Sequence, residues 1–403
     1  MPSRADVVVI GSGYTGLHAA LQTARGGRHT LVLDAGDAGW GCSTRNGGQV
    51  STSIKPGFQE LAAKHGKRRA FDILQEGHKA LGWIGRFIRS EDIDCDFQRP
   101  GRFHAAHGPR HFQQLARGAE REIPGLELYA RVVPPSEQRR ELGTDAYHGG
   151  VVYPRHASLH PARYHRGLLE LALQAGAAVL PRCPALDIER LGDAFRITTP
   201  RGVIEAANVV LATNGYTDAA APWHRRRVVP IGSYMIATEA LDPALMDRLM
   251  PTDRVISDTR KVVYYYRPSP DRTRILFGGR VSAGETDPYI SGPRLRGELA
   301  RLFPELANVR ISHSWMGYVA YTFDTLAHIG RHDGVHYAMG YCGSGVSMAS
   351  YLGMRVGQRV LGLEEGRTAF DDLPFTTRPL YTGSPWFLSA FVAWYRLRDR
   401  IRP

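Results

Sequence analysis

Residues 5–35 read ADVVVIGSGYTGLHAALQTARGGRHTLVLDA, and the order of residue types in this stretch decides the fold. Residues 7–10 are a short apolar run of the length of a buried parallel strand. Gly11, Gly13 and Gly16 follow at once in the GxGxxG spacing. Leu17, Ala20, Leu21 and Ala24 then fall on one helix face. Residues 30–33 form a second apolar run, which ends in Asp34. Gly11 permits a tight strand-to-helix turn, Gly13 lets backbone approach a pyrophosphate, and Gly16 packs the helix on the sheet. The helix N-terminus offers unpaired N–H groups and partial positive charge to phosphate. Asp34 is placed to accept ribose hydroxyls. The glycine motif alone is weak, but strand, glycines, helix, second strand and acid in succession specify a dinucleotide site. Which dinucleotide stays open at this point.

The chain has 403 residues, 43% of them hydrophobic, enough for a sizeable core and more than one structural unit. No run of about 18 apolar residues occurs, so no membrane span is expected. The first strand starts within a few residues of Met1, leaving no room for a signal peptide. Cys42, Cys95, Cys183 and Cys342 show no metal-ligand spacing, and they read as free thiols in a reducing cytoplasm. The formal net charge is +12, and only five of the 51 basic residues are lysine. Such an excess suits an acidic substrate or a nucleic acid. The clusters at 225–227 and 67–69 lack interleaved aromatics, however. An arginine-rich, evenly charged surface is the better reading, with no nucleic-acid partner.

Along the chain, the patterns predict helices over 58–90, 108–122, 160–176 and 291–303. Strands are expected over 185–190, 194–199, 203–213, 228–238, 261–269, 274–280 and 309–322. HYAMGYCGSGVSMASYLGMRVGQRVL (336–361) repeats the opening logic of strand, glycine turn and helix. The tail 384–402 reads as a helix with aromatic and basic faces. Dinucleotide-type elements therefore lie at both ends, with a β-rich block threaded between them.

Four stretches carry a family resemblance: the opening, GWGCSTRNGGQ (39–49), VVLATNGYT (209–217), and SWMGYVAYTFDTLAHIG with the following GYCGSGVSMA. On these the chain resembles the FAD-dependent amine and amino-acid oxidases of the D-amino-acid-oxidase superfamily, over nearly its whole length. Within it the chain is most similar to the γ-glutamylputrescine oxidase subgroup. The resemblance implies an α/β fold: a Rossmann-type, glutathione-reductase-like FAD-binding domain with an interleaved antiparallel β-sheet substrate domain. The expected division is 1–80, 148–225 and 312–370 for FAD, 81–147 and 226–311 for substrate, and 371–403 for a helical tail.

The resemblance also implies FAD rather than NAD, with Asp34 on the adenosine ribose. Ser43, Arg45, Asn46, Gly47, Gly48 and Gln49 would run beneath the flavin. Ala185 would meet adenine, and Thr213, Asn214 and Gly215 would close over the dinucleotide. Gly317 would lie on the flavin side. Gly343, Ser344, Gly345 and Val346 would set a helix N-terminus at the pyrimidine edge, favouring negative charge on reduced flavin. Gly317 and Asn46 stand near where relatives carry a Cys or His bonded to flavin, so the FAD is expected to be non-covalent. Substrate contacts are expected from Arg45, Tyr266, Arg267, Trp315 and Tyr318, with aromatics caging an alkylammonium and Arg267 holding a carboxylate. The implied activity is oxidation of a small-molecule amine with O2 as acceptor, without metal, membrane or triad.

Overall fold

A computed structural model describes residues 2–121, 123–279 and 286–401, with the side chains of 396–401 outside that description. The chain forms two large sheets. The first runs, edge to edge, His328–His332, Val335–Met339, Gly202–Leu211, Arg4–Ile10, Thr30–Leu33 and Ala178–Leu180. From Val335–Met339 to Ala178–Leu180 every neighbour is parallel. Ala194–Thr199 and Asp187–Leu191 extend it as an antiparallel hairpin. The opening strand is apolar on both faces because helices cover one side and the 187–211 meander the other, and Val7, Val8 and Val9 are fully buried.

Helix Tyr14–Arg25 packs the faces of Leu17, Ala20 and Leu21 into the core, each wholly buried. A fully buried leucine contributes about 1.5–3 kcal/mol, so this face alone holds the helix to the sheet. The long helical pattern of 58–90 divides into Phe58–His65 and Lys67–Ser90, because Gly66 between them takes φ +79°. The remaining predicted helices are present as Pro109–Ala119, Pro161–Gln174 and Pro288–Leu302, each begun by proline at a position that needs no N–H. The tail helix spans Leu388–Ile401.

The second sheet has the order Ile311–Tyr321, Val229–Thr238, Ile275–Gly279, Tyr265–Pro268, Val255–Asp258, Arg102–Ala105, Gly150–Tyr153 and Arg131–Val133. It is antiparallel except where Val255–Asp258 lies parallel to Arg102–Ala105. The expected strand 274–280 ends among the described residues at Gly279, and Arg280 lies outside them.

The expected division at 80/81 cuts the continuous helix Lys67–Ser90. Leu81, Ile84 and Ile88 of that helix pack into the same core as the opening helix. Gly150–Tyr153 and Ile311–Tyr321 hydrogen-bond into the second sheet, although the boundaries at 148 and 312 assign them to the first unit. The chain leaves the second sheet only after these strands, in the connections 154–156 and 322–327, so each strand stays whole within that sheet.

Candidate active site

A cavity of about 1180 Å³ is lined by residues of both sheets. That volume exceeds the range of about 300–1000 Å³ usual for one small ligand, and it suits a cofactor with substrate beside it.

At one end lie Gly11, Gly13, Asp34 and Ala185, with Thr213 and Asn214 opposite. A Cβ on Gly16 would fall 1.8 Å from the Gly11 carbonyl oxygen, so the third glycine permits the strand–helix contact rather than lining the cavity. On Gly13 a Cβ would sit 2.8 Å from Ser43 Oγ, filling the approach to the helix N-terminus. Asp34 accepts from the Ser12 N–H at 2.7 Å and the Ser12 hydroxyl at 2.6 Å. Its other oxygen accepts from Gly36 N at 2.9 Å. The carboxylate is thereby aimed at the cavity from the end of the second strand. Asn214 Oδ1 accepts from Gly340 N at 2.9 Å and ties the two halves of the crevice together. Gly215 does not line the cavity; its α-carbon backs onto Tyr318, where a Cβ would come within 3.1 Å of that residue's Cβ.

Two helix N-termini open here, Tyr14–Arg25 after Gly13 and Gly345–Val360 after Ser344, and neither is capped by a side chain of its N-cap residue. Gly343, Ser344, Gly345 and Val346 all line the cavity. Helix N-termini without a cap from their own N-cap residue, an acid at the strand end and glycines where a Cβ would intrude are the set of groups an adenine dinucleotide requires.

The stretch from Cys42 onward crosses the cavity floor. Cys42–Arg45 makes one helical turn, and Asn46 closes it through Nδ2 to the carbonyls of Cys42 and Ser43 at 3.1 and 2.9 Å. Asn46 Oδ1 accepts from Gly48 N at 2.8 Å. Ser43 Oγ accepts from Tyr14 N at 3.0 Å, joining this turn to the glycine turn. Ser43, Arg45, Asn46, Gly47 and Gln49 line the cavity, whereas Gly48 faces the backbone of Leu159. Arg45 lies with its guanidinium 4.5 Å from the Trp40 ring centre. Burial pushes the Cys42 thiol up to about 11, so it is protonated at neutral pH.

The second sheet forms the roof, and here the expected substrate residues divide. Tyr318 lines the cavity beside Gly317, its ring 5.4 Å from that of Tyr216. Trp315 supports the floor from behind, its Nε1 donating to the Arg45 carbonyl at 3.0 Å. Tyr266 is 1% exposed in the core of the second unit, with its hydroxyl 3.4 Å from that of Tyr147. It faces away from the cavity. The cavity-facing tyrosine is its neighbour Tyr265, whose hydroxyl pairs with Ser233 Oγ at 2.6 Å. Arg267 shares Tyr265's side of the strand, yet it holds the backbone carbonyls of Gly47 and Leu159 at 2.9 Å each. Its donors are directed at main chain, not at a substrate carboxylate. Burial pushes this guanidinium down to about 10.

Sequence reasoning missed Arg102, His104, Ser257 and Lys55, all of which line the roof end. His104 Nδ1 lies 2.9 Å from Ser257 Oγ. Burial, then the nearby Arg102 and Lys55, pushes its pKa down to about 3, so the ring is neutral. The alternation Arg102–Phe103–His104–Ala105 would have placed the two basic residues on one face, but four residues are too few to separate that pattern from chance.

These features agree with the chain's relatives. A family model described as FAD dependent oxidoreductase matches residues 6–359. A probable oxidoreductase, OrdL, of Rhizobium meliloti is 32% identical over 98% of this chain and 92% of its own. Gamma-glutamylputrescine oxidoreductase of Escherichia coli is 30% identical over 98% of this chain and 93% of its own. Among solved structures, glycine oxidase from Geobacillus kaustophilus superposes with a TM-score of 0.78 at 19% identity, over 94% of this chain and 99% of that one. L-proline dehydrogenase from P. horikoshii does so with a TM-score of 0.74 at 17% identity, over 97% and 99%. With its dinucleotide crevice and a family match across most of its length, the chain belongs to the DAO family of FAD-dependent oxidoreductases.

Proposed function

We propose that the protein oxidises a small amine that also carries a carboxylate, of the γ-glutamylated alkylamine type, with O2 as the acceptor. One observation supports this above others: the dinucleotide crevice continues into a roof lined by Lys55, Arg102, His104 and Tyr265. Bound FAD supplies the acceptor for a hydride leaving the carbon that bears the amine.

The chain's own residues would do the rest. Asp34 and the opening helix hold the adenosine half. Asn46, Gly47 and Gln49 carry the ring system, and the N-terminus of Gly345–Val360 favours negative charge near it. Tyr265 and Ser233 offer paired hydroxyls, and neutral His104 offers a polar group that does not repel a substrate ammonium. The amine reacts in its neutral form, and an enclosed roof lowers its basicity by desolvation. Cys42 is protonated against the flavin loop, in keeping with FAD held without a covalent bond. Four free cysteines suit a cytoplasmic setting. No described helix is long and apolar enough to cross a membrane.

The test is anaerobic addition of γ-glutamylputrescine, putrescine, sarcosine and D-amino acids to the purified yellow protein. Bleaching by the carboxylate-bearing amine, and reoxidation by air with hydrogen peroxide formed, is the expected result. A flavin that no amine bleaches would overturn the proposal. The resemblance to a dehydrogenase structure supports a second reading, the same oxidation with a non-oxygen acceptor. Amine bleaching without oxygen consumption would select it.

A further inference from the structure

We propose that Arg102 receives the carboxylate of the substrate, with Lys55 as a second cation beside it. The assignment rests on the carboxylate-bearing amine proposed above and names the group that selects it. Arg102 enters the cavity from the roof strand Arg102–Ala105, on the same face as His104, while Phe103 and Ala105 turn into the core. One of its nitrogens, Nη1, donates to Ser53 Oγ at 3.2 Å, and the guanidinium lies 4.9 Å from the Tyr153 ring centre. Its Nε is buried with no acceptor, and among the described residues no carboxylate forms an ion pair with it.

Two other arginines of the site are already engaged. Arg260 pairs with Asp258 and Arg267 holds two main-chain carbonyls, while Arg45 lies on the cavity floor rather than on the roof. On the roof, the carboxylate of Asp258 is likewise occupied, with Arg260. A guanidinium withdrawn from water without a counter-charge is unfavourable, and a carboxylate ligand offsets that penalty through two parallel N–H···O bonds.

Placement strengthens the case. Ser53, which receives the Nη1 bond, also accepts through its carbonyl from Ser344 at the start of the last long helix. Lys55 follows two residues on, and its Nζ lies 3.9 Å from where a Cβ on Gly343 would be. Arg102 and the start of helix Gly345–Val360 are thus joined through Ser53, and Lys55 lines the same cavity beside Gly343. Basic groups there outnumber the carboxylates, and an anionic substrate would restore the balance.

The experiment titrates the FAD-loaded protein with glutarate, a dicarboxylate lacking an oxidisable amine, by calorimetry. Wild type should bind it, and Arg102→Met should weaken binding by about 30-fold or more at unchanged flavin content, as expected for losing a charge-assisted bidentate contact. Arg102→Lys keeps the charge but not the fork, and should weaken it by about tenfold; it also serves if the Met variant fails to fold. The same variants should lose the preference for γ-glutamylputrescine over N-acetylputrescine, which keeps the amine but lacks the carboxylate. Failure of wild type to bind glutarate, or equal binding by the variants, would overturn the assignment. Amine bleaching of the wild-type flavin is read separately, so an absent amine activity is distinguishable from an absent carboxylate site.

Discussion

Arg267 Nε donates to the carbonyl oxygen of Gly47 at 2.9 Å, a bond from the roof sheet to the loop that crosses the cavity floor. Its Nη2 holds the Leu159 carbonyl at the same distance, so one side chain fastens three segments far apart in sequence. Replacing Arg267 with Met leaves both acceptors without this donor. The expected cost is about 2–4 kcal/mol of folding stability, because two buried hydrogen bonds to main chain are removed together. Flavin content should fall with it. Denaturant unfolding and the ratio of flavin to protein absorbance check this; a variant that keeps both and changes only the Michaelis constant for amine would return Arg267 to the substrate site.

Gly48 and Gly345 respond differently to the same substitution. Gly48 has φ +69°, and an added Cβ would lie 2.0 Å from the Leu159 carbonyl oxygen. Gly48→Ala should therefore distort the loop and destabilise the protein by about 2–4 kcal/mol. Around Gly345 nothing lies within 4 Å of such a Cβ. In Gly345→Ala the apoprotein should be as stable as wild type or better by up to about 1 kcal/mol, since the residue is helical. Its affinity for FAD should drop because the methyl group enters the cavity at a helix N-terminus. Equal FAD affinity in Gly345→Ala and wild type would place the cofactor elsewhere.

Acid should destabilise the protein through histidines that are buried uncharged. Burial, then Arg25, pushes His18 down to about 3; burial, then His332 and Arg227, does the same to His224. Burial, then Arg331 and Arg359, pushes His336 down to about 4. Below pH 6.5 the unfolded chain protonates these rings while the folded chain does not. Stability should accordingly fall as the pH drops from 6.5 toward 4, each ring contributing up to about 1.4 kcal/mol per pH unit. Thermal melts between pH 7.5 and 5 measure the slope. His336→Phe removes one of these groups and should make the slope shallower; a melting temperature constant across that range would contradict the argument.

The sequence was most legible where backbone geometry demands particular residues. The run from Val7 to Asp34 specifies strand, turn, helix and strand through glycine spacing and burial on both faces, and all four elements stand where expected. The roof was harder, for a physical reason. Alternation correctly separates Tyr265 from its two neighbours, but both faces of that strand are covered, one by core and one by the cavity. Polarity then gives no sign of which face is which, and tyrosine suits either. Arg267 and Arg102 present a similar ambiguity, since a buried arginine serves main-chain carbonyls as well as it serves a ligand. Domain limits escaped for another reason: the chain leaves the second sheet only after Gly150–Tyr153 and Ile311–Tyr321, in short connections without the glycine or proline run that marks a linker.

Tyr265 and Tyr266 allow the roof to be tested by a matched pair. Both are tyrosines of one strand, and both lose only a hydroxyl when changed to Phe. The Tyr266 hydroxyl sits in the core, 3.4 Å from Tyr147, whose own hydroxyl reaches Asp258 at 3.3 Å. Removing it should cost about 1 kcal/mol of stability and leave amine oxidation within about twofold of wild type. Tyr265 lines the cavity, and its hydroxyl holds Ser233 at 2.6 Å. Tyr265→Phe should change amine kinetics by about tenfold, a hydrogen bond's worth of free energy, with stability little altered. The reductive half-reaction, followed by flavin bleaching in a stopped-flow instrument, compares the two directly. Slow bleaching in Tyr266→Phe with normal bleaching in Tyr265→Phe would mean that the substrate is read through the core face of the strand, and the roof assigned here would be wrong.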